Sequence, residues 1–190
     1  MLTVGNTCYM SSALQFIGHC DRLTKYFQSN LYESELQREG QIARAYAKLL
    51  LELFRSDGGE WVDPHELKSR IDKFNPDFSD HGQKDVMDFL CTFLDGLHEE
   101  LNRVVNKPYK QRTVTVGVEP SPEQLEFLAN EAWKYYRSRD DSIIIDHCRG
   151  MLRPTTECGR CDGVAVTFDP FLDIALPLPK ERFVRFYKLL

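Results

Sequence analysis

The stretch Gly5-Asn6-Thr7-Cys8-Tyr9-Met10-Ser11-Ser12-Ala13-Leu14-Gln15 decides how this chain is read. Met10, Ala13, Leu14 and Ile17 recur at i, i+3, i+4 and i+7, the spacing of one buried helix face, and Gly18-His19 marks an end. Asn6 and Thr7 are residues of the type that cap helices, and Gly5 permits a sharp turn before them. Cys8 therefore falls at a helix start, where unpaired N–H groups and the positive end of the dipole favour thiolate over thiol. That makes it a candidate nucleophile. The same position also suits an apolar cysteine packed in a first turn, and a nucleophile needs in addition a base and an oxyanion donor.

Outward from this helix, Ile42, Tyr46, Leu49, Leu50 and Leu53 form the stripe of a second helix over 41–54, broken by Gly58-Gly59. Asp63-Pro64-His65-Glu66 reads as a cap with proline at the first helical position, leading to inward-facing Leu67 and Ile71. The clearest helix spans 83–101, with Val86, Phe89, Leu90, Phe93, Leu94, Leu97 and Leu101 on a wide apolar face. Ser121-Pro122-Glu123-Gln124 starts another, carrying Leu125, Leu128, Ala132, Trp133 and Tyr136. Beyond Asp140 the pattern changes. Ile143-Ile144-Ile145 is β-branched, 151–156 and 164–168 read as strands, and 171–178 and 183–190 as further strands. Thr113-Val114-Thr115-Val116 alternates like an edge strand or an insertion.

The chain has 190 residues, 42% of them hydrophobic, enough for one domain with a core. Its 24 Lys+Arg against 29 Asp+Glu give a net charge of −5, which argues against nucleic acid as the main partner. No stretch approaches a membrane span of about 18 apolar residues, and the first six residues lack the basic and apolar regions of a signal peptide. Of the six cysteines, Cys20 and Cys91 lie in helical apolar patterns and are expected as buried free thiols. With no export signal, the expectation is a cytoplasmic or nuclear protein without disulfides.

Two further segments carry chemistry. In His81-Gly82-Gln83-Lys84-Asp85-Val86-Met87-Asp88-Phe89-Leu90, Asp85 and Asp88 are three apart and share a helix face. Two acids in a first turn stabilise any helix through its dipole. Cys158-Gly159-Arg160-Cys161, between two expected strands and followed by Gly163, suits a zinc knuckle rather than a thioredoxin site, which would open a helix. Tetrahedral zinc takes four ligands, and the spacing of the nearby His147 and Cys148 matches no usual pair.

Taken in order, these segments resemble the ubiquitin-specific proteases, the ubiquitin carboxyl-terminal hydrolases. Residues 5–15 are similar to that family's cysteine box, Gly-Asn-Thr-Cys-Phe/Tyr-Met-Asn-Ser-x-Leu-Gln, with Ser11 in place of the usual Asn. Residues 83–90 are similar to Gln-Gln-Asp-x-x-Glu-Phe-Leu, with Lys84 for the second Gln and Asp88 for the Glu. The run Val166-Thr167-Phe168-Asp169-Pro170-Phe171, with Glu131-Ala132-Trp133 and Lys107-Pro108-Tyr109, resembles in particular the branch with DUSP and ubiquitin-like domains.

The resemblance implies an α+β, papain-like cysteine protease fold: a helical thumb over 1–140, then the start of β-rich fingers over 141–190, with the C-terminal palm missing. It implies a thiol-dependent deubiquitinase in which Cys8 attacks the carbonyl of ubiquitin's C-terminal glycine. Thr3 stands where the family has its oxyanion Asn. A hydroxyl there is a shorter, rotating donor, and loss of one good donor costs about 3 kcal/mol of transition-state stabilisation. Asn6 matches a second family Asn whose amide can contribute. Gln83, Asp85 and Asp88 would hold the arginine-bearing tail of ubiquitin. Cys158 and Cys161 would be the first half of a structural zinc site that a second pair on a later hairpin completes, and no cofactor is required for the chemistry. The expected partners are ubiquitin and ubiquitinated proteins, with neither nucleic acid nor membrane.

The family's histidine box has no counterpart here. His19, His65, His98 and His147 read as helix-end, first-turn, solvated and strand-flanking residues, while His81 precedes the tail-binding segment. The chain alone is therefore expected to be inactive, its base supplied by further sequence. The alternatives are a non-catalytic chain that binds ubiquitin or another partner, and a zinc-ribbon binding module, which the half site and net charge disfavour.

Overall fold

The computed structural model describes residues 5–37, 39–55, 61–109, 115–117, 119–161 and 163–177. The expectations placed on Thr3, Gly58-Gly59, Thr113-Val114, Leu178 and the strand over 183–190 lie outside the described residues. Helices α1 (Cys8–Gly18), α2 (Asp21–Gln28), α3 (Tyr32–Glu35), α4 (Gln41–Leu53) and α5 (His65–Phe74) are followed by a 3-10 turn, Pro76–Phe78, and by α6 (Val86–Leu101). Strand β1 (Thr115–Gly117), helices α7 (Pro122–Arg137) and α8 (Ile143–Cys148), and strands β2 (Gly150–Leu152), β3 (Thr155–Glu157), β4 (Val164–Val166) and β5 (Asp169–Phe171) complete the order.

Helix α6 is the hub, with α1, α4, α5 and α8 packed around it. The expected stripes are the core: Met10, Ala13, Leu14 and Ile17 from α1, Ile42, Tyr46, Leu49 and Leu50 from α4, Leu67 and Ile71 from α5, and Phe89, Phe93, Leu94, Leu97 and Leu101 from α6. Val86 departs from this pattern and is exposed. A relay of rings crosses the core: Phe27 to Tyr46 at 5.0 Å, Tyr46 to Phe93 at 4.9 Å, Phe93 to Phe89 at 6.1 Å and Phe89 to Tyr9 at 5.5 Å. Edge-to-face and stacked ring pairs of this kind fix orientation as well as burying area. The relay ends on the residue that follows Cys8, so the nucleophile candidate rests on rigid packing.

Three readings are corrected. Ile143-Ile144-Ile145 is helical, in α8: Ser142 caps it by accepting from the Ile145 N–H at 3.4 Å, and Ile144 and Ile145 bury against the core. Cap and tertiary packing override β propensity here. His98 is buried rather than solvated, with Nδ1 2.8 Å from Ser142 Oγ and Nε2 3.4 Å from Asp140 Oδ1. Cys20 is exposed at the cap of α2, and Cys91 is half-buried.

The strands form two small antiparallel sheets, one in the order β1-β4-β3 and one pairing β2 with β5. Thr115–Gly117 is an edge strand, as its alternation suggested. The single strand expected over 151–156 divides into β2 and β3, and that over 171–178 is largely not formed: β5 ends at Phe171. Gly150 faces Phe171 across β2–β5, and a Cβ there would lie 2.5 Å from the ring. Helix α7 has the expected capping box, Ser121 with Gln124, but buries no residue completely.

Candidate active site

Cys8 opens α1 and is exposed. Gly5, at φ +68°, supplies the left-handed turn before it, with open space where a Cβ would stand. Conformation, not crowding, requires this glycine. Thr7 is the cap residue, and its side chain makes no cap hydrogen bond to α1. Ser12 Oγ donates to the Cys8 carbonyl at 2.9 Å, and Ser11 N–H to the Thr7 carbonyl at 3.0 Å.

The second segment lies against the first. Asn6 Nδ2 donates to the carbonyl of His81 at 3.1 Å, joining residues 75 apart in sequence. Tyr9 lies between Phe78 and Phe89, at 6.1 and 5.5 Å, and so locks α1 to both sides of the 79–85 loop. Asn6, Thr7, Tyr9, Asp72, Asp80 and His81 are among the residues lining a cleft of about 180 Å³. Burial, and then the carboxylates of Asp72 and Asp80, push the Tyr9 phenol above its ordinary range.

The loop has its own supports, which sequence reasoning did not find. Lys68, almost fully buried, donates to the Phe78 carbonyl at 2.6 Å and to Asp72 Oδ1 at 2.5 Å. Asp80 accepts from the Gly82 N–H and from Lys84 Nζ, both at 2.9 Å, and Lys84 followed by Gly82 holds its carboxyl below the usual range. The one readable signal was Asn75-Pro76-Asp77, where Asn75 Oδ1 accepts from the Asp77 N–H at 3.1 Å.

Asp85 caps α6, with Oδ1 accepting from the N–H groups of Met87 at 2.7 Å and Asp88 at 3.2 Å. Both bonds end on Oδ1, which leaves Oδ2 for a further donor. Gln83 and Asp88 are exposed on either side of it. The Asn6–His81 bond and the Tyr9–Phe89 contact thus tie the first turn of α1 to the loop before α6 and to α6 itself. No contact among the described residues ties any histidine ring to Cys8.

Cys158 and Cys161 lie far along the chain, in the turn of the β3–β4 hairpin that the Cys158 N–H closes onto the Gly163 carbonyl at 2.9 Å. Hydrogen bonds from the N–H of Arg160, the Cys161 thiol and the Cys161 N–H hold the Cys158 thiol below its ordinary range. Among the described residues, no group of three or more His, Cys, Asp and Glu is placed to hold a metal ion.

A helix-rich lobe passing into small antiparallel sheets, with an exposed cysteine opening α1, is an α+β arrangement of the papain-like kind. The sequence model of the ubiquitin carboxyl-terminal hydrolases matches residues 1–185, and the chain belongs to that family. It is 40% identical over 185 residues to ubiquitin carboxyl-terminal hydrolase 4 of Rattus norvegicus, covering 94% of this chain and 19% of the relative. It is 39% identical over 192 residues to ubiquitin carboxyl-terminal hydrolase 15 of Homo sapiens, covering 97% and 19%. The chain therefore spans about a fifth of these relatives' length. In structure it is similar to a chain of the SAGA Ubp8/Sgf11/Sus1/Sgf73 DUB module bound to monoubiquitin, with a TM-score of 0.63 and 19% identity over 91% of this chain and 34% of that one. A second structure of that module, bound to ubiquitin aldehyde, gives a TM-score of 0.60.

Proposed function

We propose that this chain carries the nucleophile and tail-binding side of a deubiquitinase, and that Cys8 attacks the carbonyl carbon of ubiquitin's C-terminal glycine. The thiolate forms the C–S bond, the isopeptide nitrogen leaves with a proton, and water then releases ubiquitin from the thioester. The observation that supports this reading most is the Asn6–His81 bond, which ties the loop before the 83–88 segment to the residue two before the exposed thiol. The Asn6 amide, which has a second N–H beside the one given to His81, and the backbone at the start of α1 would donate to the oxyanion. Thr3 belongs to the same proposal by its place in the sequence. Asp85 and Asp88 give the tail's arginines two carboxylates on one helix start.

In this reading the base is none of the five histidines, so the 190 residues bind ubiquitin without turning it over. The lack of any histidine ring at Cys8 among the described residues also favours the second reading, a ubiquitin-binding chain without catalysis. Cys158 and Cys161 would hold structural zinc with ligands from elsewhere, and the protein would act in the cytoplasm or nucleus. The experiment is hydrolysis of a ubiquitin C-terminal fluorogenic amide by this chain and by a version continued with the C-terminal part of a relative's catalytic domain. Turnover by the continued form only, lost in Cys8→Ala, is the expected result. Ubiquitin binding with no turnover by either form selects the second reading, and turnover that survives Cys8→Ala overturns both.

A further inference from the structure

Lys68 stands where an ammonium is costly. Lysine is almost never fully buried unless paired, and a buried ion pair is weak evidence for stability, because desolvation can exceed the attraction. Yet Lys68 is only 9% exposed, with Asp72 one turn along α5 as its counter-ion. Its ammonium also donates to the Phe78 carbonyl, which ends the 3-10 turn and has no donor within it. From Phe78 a short path leads to α1. Asp80 Oδ1 accepts from the Gly82 N–H, a turn that sets the direction of the His81 carbonyl between them. That carbonyl accepts from Asn6 Nδ2 at 3.1 Å. Asn6, Lys68, Asp72, Asp80 and His81 all border the cleft of about 180 Å³, so the buried ammonium and the Asn6 amide share one space.

We propose that Lys68, with Asp72 as its counter-ion, is a positioning residue for the hydrolysis: it pins the Phe78 carbonyl and, through residues 79–81, orients the Asn6 amide. This rests on the reading that Cys8 is the nucleophile and that Asn6 donates to the oxyanion. The bond to His81 fixes the plane of the amide, and with it the direction of its second N–H. An oxyanion donor acts through being aimed beforehand at the place where charge develops. With Lys68 removed, the loop is freed at Phe78 and the Asn6 amide turns to solvent. The transition state then loses a donor, while the ubiquitin tail still meets the 83–88 segment. A pair of apolar side chains at 68 and 72 would fill the same space without the desolvation cost. The ion pair therefore serves the loop rather than the stability of the fold.

The test is a double-mutant cycle between Lys68 and Asn6 in the chain continued with the C-terminal part of a relative's catalytic domain, using the ubiquitin fluorogenic amide. Lys68→Met should lower kcat about 10- to 100-fold with KM within about threefold of the parent. In an Asn6→Ala background the same change should cost less than about threefold, since the group it acts through is already gone. Lys68→Met/Asp72→Leu, which leaves no charge unpaired, should unfold at or above the parent's urea midpoint and show the same loss of kcat. Lys48→Met, which breaks an exposed ion pair to the same helix, should leave kcat within about twofold. By nuclear magnetic resonance of the 190-residue chain, the Asn6 side-chain amide should move to the position of a free amide in both Lys68 variants. Equal kcat losses in the two backgrounds, kcat restored in Lys68→Met/Asp72→Leu, or an Asn6 amide unmoved in the Lys68 variants overturns this inference and leaves the nucleophile reading standing. No Cys8-dependent turnover by the continued parent overturns both.

Discussion

At Asp85 two roles meet on one carboxylate. Oδ1 caps α6 through the Met87 and Asp88 N–H groups, and the same carboxylate is one of the two proposed to pair with the ubiquitin tail. Asp85→Ala should cost about 1 kcal/mol of stability through the lost cap. Asp85→Asn keeps a capping oxygen and should unfold within a few tenths of a kcal/mol of the parent. If the carboxylate pairs with a tail arginine, the same Asn variant binds ubiquitin about tenfold more weakly, because a charge-assisted bond is replaced by a neutral one. Calorimetric binding beside urea unfolding separates the two. Ser11 makes a different point: it stands where the family has Asn, and its Oγ is buried without a hydrogen-bond partner among the described residues. Ser11→Ala should therefore stabilise by about 1 kcal/mol, and a lowered denaturation midpoint would contradict this. Residue types and spacing placed Cys8 at a helix start, Asp85 in the first turn of another helix and the CxxC between two strands, close to where the structure has them. The Asn6–His81 bond was not, because a side chain meeting a carbonyl 75 residues away leaves no local pattern.

Among the elements, the helices with uninterrupted 3.6-residue stripes were readable, and those shaped by tertiary partners were not. Helix α2 is short, and its buried Leu23, Tyr26 and Phe27 alternate with Arg22 and Lys25. Helix α8 presents a strand-like isoleucine run that Ser142 and α6 turn into a helix. The ends of α6, α7 and α8 meet in a charged node. Arg103 reaches Glu35, Asp141 and Asp146, Arg137 reaches Asp141 and Asp146, and Lys107 and His98 reach Asp140. Burial pushes Asp140 and Asp141 up, but Lys107 and His98 outweigh it for the first, and Arg137 and Arg103 for the second, leaving both below the ordinary aspartate value of 3.8. A carboxyl depressed in the folded state contributes stability above its unfolded value and loses it as pH falls through the folded one. Urea midpoints should accordingly fall as pH drops below about 4, and fall less in Asp140→Asn/Asp141→Asn. In the β2–β5 pair, Gly150→Ala would displace the Phe171 ring and should cost about 1–3 kcal/mol, read as a lower melting temperature with loss of the aromatic near-UV signal.

On the scale of the whole molecule, an aromatic relay through α2, α4 and α6 supports Tyr9, and Tyr9 fixes both Cys8 and the loop that precedes Asp85 and Asp88. This is how a helix-rich lobe presents one thiol differently from the rest. Exposure does not make that distinction, since Cys8, Cys20, Cys158 and Cys161 are all exposed. What differs is that Cys8 opens α1 next to Tyr9, on which the ring relay ends. The overall architecture was legible because motif order carries topology, whereas the short strands, with polar and proline-containing sequences, were blurred. The most direct test is to react the chain, continued with the C-terminal part of a relative's catalytic domain, with ubiquitin bearing a C-terminal vinyl sulfone and to map the adduct by mass spectrometry. The account predicts a single adduct on Cys8, absent in Cys8→Ala and slowed in Asp85→Asn. An adduct spread over Cys20, Cys158 and Cys161, or one that persists in Cys8→Ala, would contradict it.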